Sequence, residues 1–73
     1  MKKTIRAKAG DFKFGPLKRE EYIFMYEKFD LRCEIIDAKF NFLSHDYILL
    51  LDGKKDDIDA YISFLQIKGF SIK

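Results

Sequence analysis

At 73 residues the chain has room for one domain, near the size at which folding removes only about 60% of the unfolded surface from water. It holds one cysteine, Cys33, and one histidine, His45, which excludes a disulfide within the chain and the usual ligand spacings of a zinc site. Net charge is +2, but residues 1–20 hold seven Lys/Arg against Asp11 and Glu20, a local +5, and the remainder seven against ten, a local −3.

Stabilisation therefore has to come from apolar burial, to which eight Phe and four Tyr contribute most, or from the pairing of copies. The basic end could attract phosphates. It falls short of the basic stripe of a nucleic-acid module, so these charges are read as solvating a first strand and its loop, and nucleic acid is not the expected partner. Met1-Lys2-Lys3 is followed by charge where a signal peptide needs an apolar core, and no apolar run approaches the roughly 20 residues of a membrane span. The expectation is a soluble cytoplasmic protein without membrane insertion.

Residues 3–9 alternate, with Ile5, Ala7 and Ala9 on one side and Arg6 and Lys8 on the other, the period of a strand with one buried face. Gly10 ends it. Gly15-Pro16 introduces a helix over residues 17–29, in which Tyr22, Met25, Tyr26 and Phe29 recur at helical spacing. From Leu31 the pattern is extended again, with Leu31, Cys33 and Ile35 in one phase and Ile36, Ala38, Phe40 and Phe42 in the other. The slip at Ile35-Ile36 is either a β-bulge, which keeps both sets on one face, or a turn of the second half toward the opposite face. Both options leave Phe40 and Phe42 in need of cover.

Leu43 to Asp46 reads as a hairpin connection and Tyr47 to Leu51 as a central strand, apolar on both sides. Asp52-Gly53 stops that strand. In "DGKKDDIDA" the acidic residues do not follow the ligand order of a calcium loop, and they are assigned to a helix start, with Asp56 or Asp57 as cap. Ile58, Tyr61, Ile62 and Leu65 form the stripe of that helix, Gly69 closes it, and Phe70 and Ile72 alternate as a last strand.

The order strand, helix, strand, strand, helix, strand predicts an α+β fold. Right-handed crossovers make it a ferredoxin-like βαββαβ sandwich, a four-stranded antiparallel sheet with both helices on one face and strands one and three central. The function has to come from sites on that fold. "HDYILLLDG" offers only Tyr47 where an RNA-recognition strand needs several stacking aromatics. A metal-chaperone domain needs a Cys-x-x-Cys pair, and an acyl-phosphate hydrolase needs an Arg beside a phosphate-cradling loop, which "GDFKFGP" does not supply. His45 is placed in a loop without a partner for a dyad. No catalytic constellation, metal set or cofactor motif is present, and the protein is not expected to be an enzyme.

The run "YEKFDLRCEIIDAKF", followed by "YILLLDGKKDDIDAYISFLQIKGFSIK", resembles the NIL domain over residues 16–73. This is a small ACT-like ferredoxin-fold module found at the C-terminus of the ATP-binding subunit of methionine ABC transporters, and elsewhere alone or fused to ferredoxin-type domains. The similarity lies in a helix ending in an aromatic before strand two, "EIIDAKF" at the family's Asn-Ile-Leu signature, a strand ending in Gly53, and "FLQIKGFSI" as closing helix and strand. Glu34 stands where the signature has asparagine, and Ser44-His45-Asp46 where the family has a Phe-Gly pair.

The resemblance implies a single NIL/ACT-like domain over residues 1–73, a regulatory or ligand-sensing module that pairs through its sheet and binds an amino acid such as methionine at the pair interface. The alternative is a nucleic-acid or other anion-binding module. Candidate ligand and dimer-interface residues are Arg6 and Lys8, which point away from the helices toward a ligand carboxylate, with Ile36, Ala38, Phe40 and Phe42. A homodimer is expected, with an amino acid or a protein as further partner and no cofactor.

Overall fold

The computed structural model describes residues 1–10, 19–40 and 44–73. The elements are β1 (Lys2–Gly10), α1 (Arg19–Ile23) continuing as a 3₁₀ segment (Phe24–Phe29), β2 (Arg32–Phe40), β3 (Ser44–Asp52), α2 (Lys55–Ile67) and β4 (Ser71–Ile72). The strands form one antiparallel sheet in the order β2-β3-β1-β4. With its two helices this is the α+β arrangement expected of a ferredoxin-like fold, and β1 and β3 are central.

Both helices lie on one face, because their buried side chains share a single core with alternate residues of the sheet. Ile23 of α1 and Ile58, Tyr61 and Leu65 of α2 pack with Ile5, Ala7, Ala9, Tyr47, Leu49 and Leu51. The stripe read for α2 holds, with Ile62 half-buried at its margin.

The first helix differs from its reading. After one α-helical turn it tightens to 3₁₀, and the side chain it buries completely is Ile23, outside the Tyr22, Met25, Tyr26, Phe29 stripe. A 3₁₀ helix repeats every three residues. That period aligns Ile23, Tyr26 and Phe29 toward the core, where Phe29 meets Tyr61 edge-on at 5.6 Å. Asp30, at φ 55°, ends the segment in the left-handed conformation that Asp tolerates better than most residues.

Two other readings change. Asp56 and Asp57 lie in the first turn of α2, but the N-cap is Lys54, which makes no side-chain cap hydrogen bond, so the two carboxylates are placed at the positive end of the helix dipole and not at the cap. The strand read from Tyr47 begins at Ser44, which puts His45 and Asp46 inside β3. The Gly15-Pro16 helix entry and Phe42 lie outside the described residues.

Helix α2 ends as read. Gly69, at φ 113°, donates its N–H to the Gln66 carbonyl, and the Phe70 N–H reaches the Leu65 carbonyl. These are the two bonds of a Schellman motif, accompanied by its apolar contact because Leu65 and Phe70 are both buried. Gly53 has a different reason. A Cβ there would lie 2.9 Å from the Leu31 Cβ, an atom fixed to the backbone that cannot swing away.

Two substitutions test this packing. Gly53→Ala is expected to destabilise by about 1–3 kcal/mol, the usual cost of overpacking, read as a lower urea midpoint. Tyr61→Phe removes the hydroxyl that donates to the Ile23 carbonyl at 2.6 Å inside the core. Losing this buried hydrogen bond is expected to cost about 0.5–1.5 kcal/mol, and a variant as stable as the parent would show that the link between α1 and α2 contributes nothing.

Candidate functional site

Residues directly opposite one another in a sheet share a face, so the register sorts every strand side chain. Tyr47 is opposite Ala7 and Ala38, and Leu49 is opposite Ile5 and Ile35, all on the helix side. Among the described residues no helix lies over the other face. There Asp52 lies between Arg32 and Lys2, Leu50 between Glu34 and Thr4, Ile48 between Asp37 and Arg6, and Asp46 between Lys39 and Lys8.

Asp46 is buried although it faces the open side. Arg6 reaches it diagonally from the neighbouring strand, with Nε at 3.0 and 3.2 Å from the two carboxylate oxygens and Nη2 at 2.6 Å from Oδ2. This two-pronged pairing fixes the plane of the guanidinium. It holds the Asp46 carboxyl below its usual range, the hydrogen bond from Arg6 being the main cause, with the charges of Arg6, Lys8 and Lys39 adding to it. The same bond raises Arg6. Arg6 remains largely exposed, so solvent screens the pair.

The five described candidate residues do not form one surface. Arg6 and Lys8 are on the open face as expected. Ile36 is the extra residue of a bulge between Ile35 and Asp37 and is 54% exposed. The bulge returns Ala38 and Phe40 to the phase of Cys33 and Ile35, on the helix side, so Phe40 does not add to the open face. Its ring packs against His45 at 4.6 Å and edge-on to Tyr47 at 6.1 Å, and Phe40 is 64% exposed. Phe42 lies outside the described residues.

His45 also leaves its expected place. In β3 its Nδ1 is 3.9 Å from Glu20 Oε1, the oxygen that accepts the Tyr47 hydroxyl at 2.6 Å. Cys33 is half-buried on the helix side, with its sulfur 3.8 Å from the Tyr61 hydroxyl. Burial pushes its thiol up, which keeps it protonated and poorly nucleophilic. Burial likewise raises the Tyr61 hydroxyl well above the ordinary tyrosine value. Among the described residues no group of three or more His, Cys, Asp or Glu side chains is arranged to hold a metal ion, and no helix is long and apolar enough to cross a membrane.

A groove that sequence reading missed runs across the β2 side of the sheet, at the end where Asp52 lies. It measures about 610 Å³ and is lined by Lys2, Tyr26, Glu27, Leu31, Arg32, Cys33, Glu34, Leu50 and Asp52. Residues of both charge signs line it together with the apolar Leu31 and Leu50. Arg32 and Lys2 flank Asp52 in register, yet no ion pair within 4 Å joins these lining residues among the described ones. No protein-family model matches the chain, and no curated protein matches it at a significant level.

The Arg6–Asp46 pair predicts a specific acid response. A carboxyl held below its unfolded value of about 3.9 stabilises fully above that pH and progressively loses the effect as pH falls through the folded value. Asp46→Asn is expected to shrink the loss of stability between pH 5 and pH 3 in urea melts, the pH range being an approximate bracket around that value. Parallel curves for variant and parent would mean that the pair does not contribute.

Proposed function

We propose that the chain is a small regulatory, ligand-sensing module that binds an amino acid in the groove between Lys2, Arg32 and Glu27, Glu34, Asp52. The observation that carries this reading is the charge arrangement of the groove. A free amino acid needs a cation for its carboxylate, an acid for its ammonium group and apolar contact for its side chain. The groove offers all three at a volume in the ordinary range for small ligands. The resemblance to the NIL domain, a sensor of amino acids on the same kind of fold, supports the same class and makes methionine the first ligand to try.

The module acts as a homodimer joined along the β2 margin. The groove takes Arg32, Cys33 and Glu34 from this edge strand, so a copy docking there covers the ligand. Exposed Ile36 and Phe40 lie on the same margin. The open face is the weaker choice because its charges oppose self-contact. With a two-fold axis along β3, Arg32 meets Lys2 of the second copy and Lys39 meets Lys8, and with the axis across the strands Asp46 meets Asp52.

Ligand at 100 times its dissociation constant stabilises by about 2.7 kcal/mol, which for so small a domain is a midpoint shift of roughly 10–20 °C. A thermal-shift screen of the twenty amino acids is expected to return at least one such response, lost in Arg32→Gln. A flat screen at millimolar ligand rejects amino-acid sensing.

Light scattering is expected to report about twice the 8.7 kDa chain mass. Phe40→Asp is expected to give a folded monomer and Leu49→Asp an unfolded chain, because a carboxylate at a margin returns to water when copies separate and one in the core cannot. A parent protein that is monomeric at high micromolar concentration rejects the dimer.

A further inference from the structure

At the opposite border of the open face, β1 and β4 bring four polar side chains together. Arg6 and Lys73 exchange both backbone hydrogen bonds at 2.9 Å, and Lys8 is opposite Ser71. Arg6, Lys8, Lys73 and Ser71 thus stand on one face at the corners of a rectangle, about 5 Å across the strands and about 7 Å along them. A depression of about 220 Å³ lies between them. We propose that this corner is a binding site for a compact phosphate group, free or carried on a small ester.

Three cations and a hydroxyl donor converge there. The nearest acid across the sheet, Asp46, is occupied on both oxygens by Arg6. Asp46 also prepares Arg6 as a ligand. It takes Nε and one hydrogen of Nη2, which leaves three of the five guanidinium N–H groups, on Nη1 and Nη2, in a fixed plane. Lys8 and Lys73 make no ion pair among the described residues.

A dianion with three terminal oxygens matches this donor set better than a single carboxylate, which the Arg6 fork alone would satisfy. A nucleic-acid strand fits poorly. Among the described residues the open face presents Thr4, Ile48 and Leu50 but no aromatic ring on which bases could stack, and Glu34, Asp37 and Asp52 on that face repel a long polyanion. The site is separate from the groove proposed for an amino acid and does not depend on it.

The test is a titration of the full chain, at fixed ionic strength, with inorganic phosphate, glycerol phosphate, sodium chloride and a single-stranded oligonucleotide, followed by backbone amide NMR shifts. Saturable shifts at Arg6, Lys8, Ser71 and Lys73 with either phosphate are expected, and the one that binds more tightly identifies the source. A Lys8→Gln, Lys73→Gln double variant with unchanged circular dichroism is expected to weaken binding by about tenfold or more, whereas Arg32→Gln leaves it unchanged. Shifts that chloride reproduces, that do not saturate or that survive in the double variant overturn the proposal. Binding of the oligonucleotide alone also overturns it, in favour of a polyanion surface.

Discussion

Tyr47 stands between two alanines. In the register of β3 with its neighbours it is opposite Ala7 on one side and Ala38 on the other, and these small residues leave room for a ring that is 1% exposed. Its hydroxyl reaches out of the core to the Glu20 carboxylate and ties α1 to the centre of the sheet. A slip of one residue in either pairing would turn this ring to the open face and bring Asp46 under the helices, where its charge could not be solvated. The placement of Tyr47 therefore fixes which side chains form the core and which form the exposed surface.

That exposed surface is organised by charge. Ile48 and Leu50, the two apolar residues of β3 that face outward, are flanked by Asp37 and Arg6 and by Glu34 and Thr4. Long side chains of this kind cover apolar surface with their stems while their heads remain in water. A strand that is apolar on both sides thus need not be covered by a second protein layer. The two proposed sites are at the borders, a groove of mixed sign along β2 and a cationic corner between β1 and β4, which are chemically distinct and lie on opposite sides of the sheet.

Element order and much of the core were legible from the sequence because period-two and helical patterns depend on local spacing. Ile5, Ala7 and Ala9, the Ile58 to Leu65 stripe and the Gly69 stop all follow from it. The 3₁₀ segment was not legible, since Tyr22, Met25, Tyr26 and Phe29 satisfy a helical period; Tyr22, Tyr26 and Phe29 do pack against the core, but the fully buried Ile23 is set by tertiary packing. The Ile35-Ile36 slip was visible, but its two outcomes look alike until β2 is paired with β3. Asp46 was hidden for a related reason: Ser44-His45-Asp46 has the composition of a loop, and its partner Arg6 is 40 residues away. The groove draws on three strands and the 3₁₀ segment, a juxtaposition that no local pattern encodes.

The Ile36 bulge decides whether Phe40 lies with the core residues or with the open face, and the whole division of the surface follows from that. The most direct measurement is the set of nuclear Overhauser contacts made by the Phe40 ring protons. Contacts to the rings of His45 and Tyr47, with Tyr47 also touching the methyl groups of Ala7 and Ala38, are the predicted result. Contacts from Phe40 to the side chains of Ile48 or Asp46 would place it on the open face and contradict the account.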